Sequence, residues 1–512
     1  MNPTRLLCSL FPAALLSLGP SASRADEPTP AAASAPSSAP PTTLPIFEAT
    51  PREAPPLAGW HGGVFFLRDE NDNFRLYVQG RGQVDAFGYF GPGVPDSKLK
   101  GTVLLRRVRV EVGGEFLQNW QWMLAGDWGA NAVDNANGKN MATATAFADA
   151  QTASVRAAPT DLWVNYRGAK WFNVQVGQYD APFTMANRTS DKYLSFMERP
   201  LAVRALGIPT NKELGAMVWG ETGKRELFYS VGVFNGDGQN RPNLDDQADV
   251  IGRVFTHPIG DGPLKDFQVG ASFRYGSRNP NYVYYDYPAM TTQGNYRFWA
   301  PRYGTTRILP SGQQRGLAAE FRLPIGAFDL TSEVVYVKND TREAIDGFEN
   351  AYTQRKGDMS GLGYYVEVGF WPLGNRDING LPGYENPTHL DFKKKNPESP
   401  PQALQLLVKW EQVQTTYSSA SRARSVNPGA NLDGDTKINA FSLGMNYWAT
   451  KHVRLSLNYV LNMFPDSTNS AKQTAAQRAV APGNTLDAGV NDDARANAHV
   501  LHEVMGRVGI AF

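Results

Sequence analysis

From Phe74 to the end of the chain, apolar and polar residues alternate with a period of two. In FRLYVQGRGQVDAF the residues Phe74, Leu76, Val78, Val84 and Ala86 share one parity, with Gly80 and Gly82 between them. Arg75, Tyr77, Gln79, Arg81, Gln83 and Asp85 share the other. Successive side chains of a strand point to opposite faces, so the segment reads as a strand that is oily on one side and polar on the other. It is also longer than the roughly five or six residues typical of soluble sheets. The pattern recurs in WQWMLAGDW, FNVQVGQ, GLAAEFRL, GYYVEVGF, ALQLLVKWE and HVRLSLNYV. LLRRVRVEV states it most sharply: Val108, Val110 and Val112 lie on one face, and Arg107, Arg109 and Glu111 on the other. Arg106 falls on the valine parity, which places it near a membrane edge, its charge reaching for water, or at the top of the strand by a loop.

Sixteen such segments fit between residues 74 and 512. Short turns such as LQN, TGK and PIGA alternate with long polar loops, the plan of a transmembrane barrel. Backbone N–H and C=O groups cannot go unpaired in hydrocarbon, so a sheet that crosses a membrane must close on itself. The expected fold class is therefore all-β: a 16-stranded antiparallel transmembrane β-barrel, wide enough for an aqueous channel. The last segment fits, with Val504, Val508, Ile510 and the terminal Phe512 on one face. One connection resists: residues 372–401 are long where the alternation demands a short turn.

Upstream of the barrel the chain has a different character. Arg5, an apolar run from Leu6 to Leu18 and the small-residue stretch Ser23-Arg24-Ala25 predict a cleaved signal peptide over 1–25. The apolar run is too short to span a membrane as a helix. Residues 26–60 are rich in Pro, Ala, Ser and Thr and predict a disordered periplasmic segment, leaving 61–512 as the barrel domain. Cleavage removes Arg5 and Arg24, so 48 basic residues face 49 acidic ones. A net charge of −1 excludes a globally basic nucleic-acid binder. It also removes Cys8, the one cysteine, and with it any disulfide, thiol nucleophile or cysteine metal site. Acidic runs such as RDENDN and NLDGD lack the ligand spacing of a calcium loop, and the glycine clusters do not cradle a nucleotide. No cofactor, no metal and no enzymatic constellation are expected.

Assigning faces by parity sends ten bases to the lumen: Arg75, Arg81, Arg107, Arg109, Arg253, Arg274, Arg322, Lys409, Arg454 and Arg507. Eight acids share that face: Asp85, Asp127, Glu111, Glu320, Glu333, Glu367, Glu411 and Glu503. Three acids sit two residues from a base, Glu111 by Arg109, Glu320 by Arg322 and Glu411 by Lys409. Ten bases against eight acids make a mixed wall, whose charges can pair locally to hydrate and brace the lumen. A general or carbohydrate-selective porin, a plugged adhesive barrel and a barrel enzyme are the rival classes.

The segment GQYDAPFTMANRTSDKYLSFMERP, Gly177 to Pro200, resembles the phosphate-selective porin O/P family. The likeness continues through GVFNGDG, GYYVEVGFWPLG and KINAFSLGMNYWATKHVRLSLNYVLN. The resemblance implies an outer-membrane homotrimer that passes inorganic anions, phosphate or related oxyanions, and contacts membrane lipids and lipopolysaccharide. It also implies an anion path along the wall, with the ten lumen bases as its candidates, and a third external loop, Asp180 to about Asn211, that folds into the barrel and narrows it. That loop offers Arg188, Lys192, Arg199 and Arg204 as constriction residues beside Asp180, Asp191 and Glu198. Lys192 ranks first, because it lies in the matched TSDKY stretch, and Glu198 is placed to pair with Arg199.

Overall fold

The computed structural model describes residues 56–512 apart from 62–63, 92–100, 130–157, 209–210, 224–225, 280–289, 295–296, 300–301, 304–305, 346–354, 381–398, 420–433, 465–483 and 486–499. The expected signal peptide and nearly all of the 26–60 segment lie outside the described residues. The boundary at 60 falls within a short strand, Ala58–His61, which pairs with Val64–Arg68.

Sixteen long strands follow. They are β1 (Phe74–Phe90), β2 (Thr102–Phe116), β3 (Trp120–Asp127), β4 (Ala158–Ala169), β5 (Phe172–Asp180), β6 (Lys212–Thr222), β7 (Leu227–Phe234) and β8 (Asp249–Thr256). Then come β9 (Gln268–Arg278), β10 (Thr306–Ile325), β11 (Phe328–Ile345), β12 (Arg355–Leu373), β13 (Ala403–Ser419), β14 (Gly434–Thr450), β15 (Val453–Met463) and β16 (Val500–Ala511). Each pairs antiparallel with the next, and β16 returns to β1 with Arg507 opposite Asp85, so the sheet is a closed barrel. Below the end of β16, Val64–Arg68 pairs with the start of β1 and covers an edge that would otherwise be bare.

Strands β10 to β12 run 18 to 20 residues. A tilted strand needs only about 9–11 residues to cross the hydrocarbon, so their surplus extends the wall beyond the membrane. The two faces sort as parity requires. In β16, Leu501, Glu503, Met505 and Arg507 are buried, while Val508 and Ile510 expose half their surface to the lipid side.

Parity fails at one informative place among several register shifts in the barrel. The β1–β2 register runs Gln83 to Arg107 and then Val84 to Leu105, skipping Arg106. This bulge turns Arg106 inward beside Arg107, so Arg106 is 3% exposed and does not sit at a membrane edge.

Nor is the lumen lined only by water. A short helix α1 (Leu201–Leu206) in the connection after β5 buries Leu201, Val203 and Leu206. These pack with Val335, Val337, Met359, Val413 and Ile438 in one apolar cluster. Gly363 of β12 makes the approach possible, since a Cβ there would meet Ala202 Cβ at 2.9 Å. Charge collects on the opposite side, along β1, β2 and β16.

Candidate anion path

Residues 181–211, between β5 and β6, are fixed at both ends and along their length. The Asn187 amide donates to the carbonyls of Ala181 (2.8 Å) and Asn211 (3.1 Å), tying the loop's two feet together. Thr184 takes a left-handed turn at φ 67°, and its hydroxyl oxygen accepts from the Asn187 amide N–H. Farther on, Glu333 of β11 accepts from the amides of Met185 and Ala186, and Glu411 of β13 from that of Leu201. Asn458 of β15 accepts from Met197 N at 3.0 Å, and Asn446 of β14 donates to Ser195 O at 2.7 Å. Arg454 and Arg507 donate to the carbonyls of Leu194 (2.9 Å) and Met197 (2.8 Å). A connection between neighbouring strands that bonds to β11 and to β13 through β16 lies across the barrel interior.

Its two central carboxylates enter the charged side of the wall. Asp191 faces Arg107 at 3.1 Å, Arg81 and Arg109 at 3.7 Å each, and bonds Arg199 within the loop. Glu198 meets Arg106 at 3.1 Å, Arg507 at 3.4 Å and Arg107 at 3.6 Å. Arg507 is also held by both oxygens of Asp85 at 2.7 Å, Arg81 reaches Glu111 at 3.5 Å, and Arg109 reaches Asp127 at 3.5 Å. Arg454 completes the group, with Trp448 as its ring neighbour at 5.5 Å. Six guanidinium groups thus share five carboxylates, and Arg454 stands beside them bonded to a backbone carbonyl. Lys192 stands beside them, its ammonium donating to Gln79 Oε1 at 3.1 Å, and no carboxylate among the described residues is in pairing range.

Burial pushes the Asp191 carboxyl up, but Arg107, Arg199, Arg81 and Arg109 outweigh it and hold the group well below the usual carboxylate range. Glu198 is lowered in the same way by Arg106, Arg107 and Arg507. A depressed folded pKa adds stability that is complete above the unfolded value and is lost as pH falls through the folded one. Unfolded carboxyls titrate near pH ~4, so the Asp191 and Glu198 contacts should hold throughout the range above it. No step in single-channel conductance that belongs to Asp191 is expected from about pH 7 to about pH 4. A step in that range that disappears in Asp191→Asn would contradict this pairing.

The other expected wall bases are distributed differently. Arg253 holds Glu320 through two 2.8 Å bonds, and Arg274 holds Asp249 at 2.6 Å. Arg75 is engaged by Asp72 and, at 3.4 Å, by Glu115 near the turn side. Lys409 does pair with Glu411, at 2.8 Å, over the Phe196 ring. Glu320 pairs with Arg253 and not Arg322, Glu111 with Arg81 and not Arg109, and Glu198 with wall arginines and not Arg199. Arg188 donates to the Asp180 carbonyl, at the loop's base.

Arg204 on α1 exposes a second inward segment. It donates to Thr292 O at 2.7 Å and Thr291 Oγ1 at 2.9 Å. Thr292, Gln293 and Gly294 are buried in turn against Glu503 of β16 and Glu411 of β13. The 372–401 connection also points inward where it is described: Asn379 donates to Tyr193 O at 2.9 Å. Neither was legible from alternation, which speaks only for strands. Among the described residues no group of His, Asp and Glu is arranged to hold a metal.

Residues 78–483 match the family described as phosphate-selective porin O and P. The chain belongs to that family. It is an outer-membrane anion porin. Porin O of Pseudomonas aeruginosa is 23% identical over 419 residues, covering 78% of this chain and 85% of that protein. Among solved structures, outer-membrane expressed OmpT of Vibrio cholerae aligns at TM-score 0.47 and 10% identity, over 87% of this chain and 100% of that one. The anion-selective porin from Comamonas acidovorans aligns at TM-score 0.45 and 10% identity, over 86% and 100% of the two chains.

Proposed function

We propose that phosphate and related oxyanions diffuse passively through each barrel of a homotrimer by exchanging with Asp191 and Glu198 for the surrounding guanidinium groups. The observation that carries this reading is the local imbalance: seven arginines and Lys192 against five carboxylates. Arginine suits the task because its planar fork donates two parallel bonds to an oxyanion. Passage requires binding strong enough to replace hydration and weak enough to release, at several sites in sequence. Tethered carboxylates meet that requirement, since each offers the wall the same chemistry as the passing ion and takes its place when it leaves. Arg253 on Glu320, Lys409 on Glu411, and Arg274 with Arg278 on Asp249 act as braces. The apolar outer face sits against lipid and lipopolysaccharide.

The test is the reversal potential of the purified protein in a planar bilayer under a potassium chloride gradient. Anion preference is expected, with chloride current reduced by added phosphate. Lys192→Glu cuts the local excess of cations from three to one and should lower the anion-to-cation permeability ratio several-fold. A cation-preferring channel, or chloride current indifferent to phosphate, sinks the reading.

A further inference from the structure

The lumen is one charged surface of this barrel; the outer wall carries another. On β10 the outward side chains from Ile325 to Leu317 are apolar, and the next one outward is Arg315. On β11 the outward residues Val334 and Tyr336 are followed by Lys338. At about 3.3 Å per residue, Ile325 to Leu317 covers roughly 26 Å of strand, close to the full height of a barrel's apolar band once tilt is allowed for. Arg315 and Lys338 therefore stand one step above the hydrocarbon, on the side of the long external loops, where lipid headgroups begin.

The two cations are directly opposite each other across the β10–β11 ladder, and both are exposed. Like charges in that position destabilise a sheet unless an opposite charge lies between them. The wall supplies little of it. Asp340 comes no nearer to Arg315 than 3.8 Å, and its other oxygen accepts from Gln313 N at 3.0 Å. Among the described residues no carboxylate is in pairing range of Lys338. Along the same row of the sheet Ser360 is opposite Lys338 and Thr416 opposite Ser360, so hydroxyls continue the line of cations. One row higher, Asp340 is opposite Asp358. Toward β14 the outer face carries a chain of polar side chains: Tyr364 donates to Gln412 Oε1 at 2.7 Å, and Gln412 donates to Asn439. Outward cations above the apolar band occur, among the described strand residues, on β10 to β12 and β14, with Lys356 and Lys437 as the other two. The charge belongs to one flank of the barrel.

A guanidinium and an ammonium side by side match a phosphate, the fork taking two oxygens and the lysine adding a point charge. Carboxylates, hydroxyls and amides around them suit the hydroxyl groups of a sugar. Apolar surface directly below suits acyl chains. We propose that the external end of β10–β12 is a binding site for the phosphorylated sugar headgroup of lipopolysaccharide, with Arg315 and Lys338 holding a phosphate. The site lies outside the lumen: it rests on the placement of this wall against lipopolysaccharide and is independent of the anion path.

The purified protein in detergent, titrated with diphosphorylated lipid A and read by native mass spectrometry, tests the site. The double variant Arg315→Gln/Lys338→Gln is expected to bind this lipid at least tenfold more weakly than wild type. Wild type should prefer it to dephosphorylated lipid A by a similar factor, and the double variant should not distinguish the two. Lys451→Gln removes the same kind of charge at a periplasmic turn and should keep wild-type affinity. All three side chains are exposed, and the reversal potential of the double variant should equal that of wild type. Equal affinity of wild type for both lipids, or equal affinity of wild type and double variant, overturns the site. So does an equal loss in Lys451→Gln, which reports attraction to overall charge, and so does binding of neither lipid, the result if another copy of the chain covers this flank. Each of these leaves the permeation reading standing, and a cation-preferring wild-type channel sinks that reading without touching this site.

Discussion

Replacing Asp191 by Asn is expected to tighten phosphate block of chloride current about tenfold, or about 1.4 kcal/mol of binding free energy. Asp191 is the carboxylate that Arg81, Arg107, Arg109 and Arg199 have in common. Removing one member of a buried charge group usually costs about 3–5 kcal/mol, because its partners are left uncompensated. In this barrel the compensation can come from solution. An asparagine keeps the side chain's shape, and the loop keeps its other anchors on Glu333, Glu411 and Asn458. The guanidinium groups then lack their tethered competitor, and a mobile oxyanion takes its place. A second readout follows by linkage, since an ion that binds only the folded state stabilises it more as its affinity rises. The thermal midpoint of Asp191→Asn should therefore fall below wild type in dilute chloride and climb more steeply with added phosphate. Unchanged or weaker block would make Asp191 part of the receptor, and the exchange mechanism would be wrong.

Why the wall was readable and the loop contacts were not has a physical cause. A barrel strand separates two solvents, so its alternation is imposed residue by residue, and sixteen strands follow from the pattern alone. Partners are set by distances that parity does not encode. Residues i and i+2 of a strand are nearly 7 Å apart, whereas cross-strand neighbours lie at about 5 Å. Of the three pairs expected two residues apart, only Lys409 with Glu411 forms. Arg106 defeats parity because a bulge leaves no mark in LLRRVRVEV beyond the doubled arginine. The cost of a lipid-facing arginine was the available hint. β11 held another: in SEVVYV both parities are apolar, with Val335 and Val337 buried inside and Val334 exposed outside. An inner face that is apolar marks something packed against it, here α1, and alternation alone treats such a face as wet.

Gly177→Val is expected to lower the yield of folded barrel at least tenfold, read as loss of the heat-modifiable band on electrophoresis. Gly177 opens the GQYDAPF stretch that carries the family likeness, and its φ of 131° lies where side chains are disfavoured. Space forbids the substitution as firmly as conformation does: a Cβ would stand 2.1 Å from Leu162 O and 2.7 Å from Trp163 Cα. Both atoms belong to the β4 backbone that pairs with β5, so relief requires the two strands to part. On the other side Gly177 is opposite Gly215 of β6, so the close approach is built between strands that flank the inward loop. The next residue shows what the geometry serves. Gln178 donates to Thr160 O at 3.1 Å and to Asn240 Oδ1 at 3.0 Å, fixing the wall where the chain leaves it for the lumen. Gly177→Ala meets the same backbone atoms and should fail nearly as badly, which distinguishes close approach from mere bulk. Wild-type yield of either variant would show that β4 and β5 can separate without loss, and the glycine would then have no structural role at the loop's root.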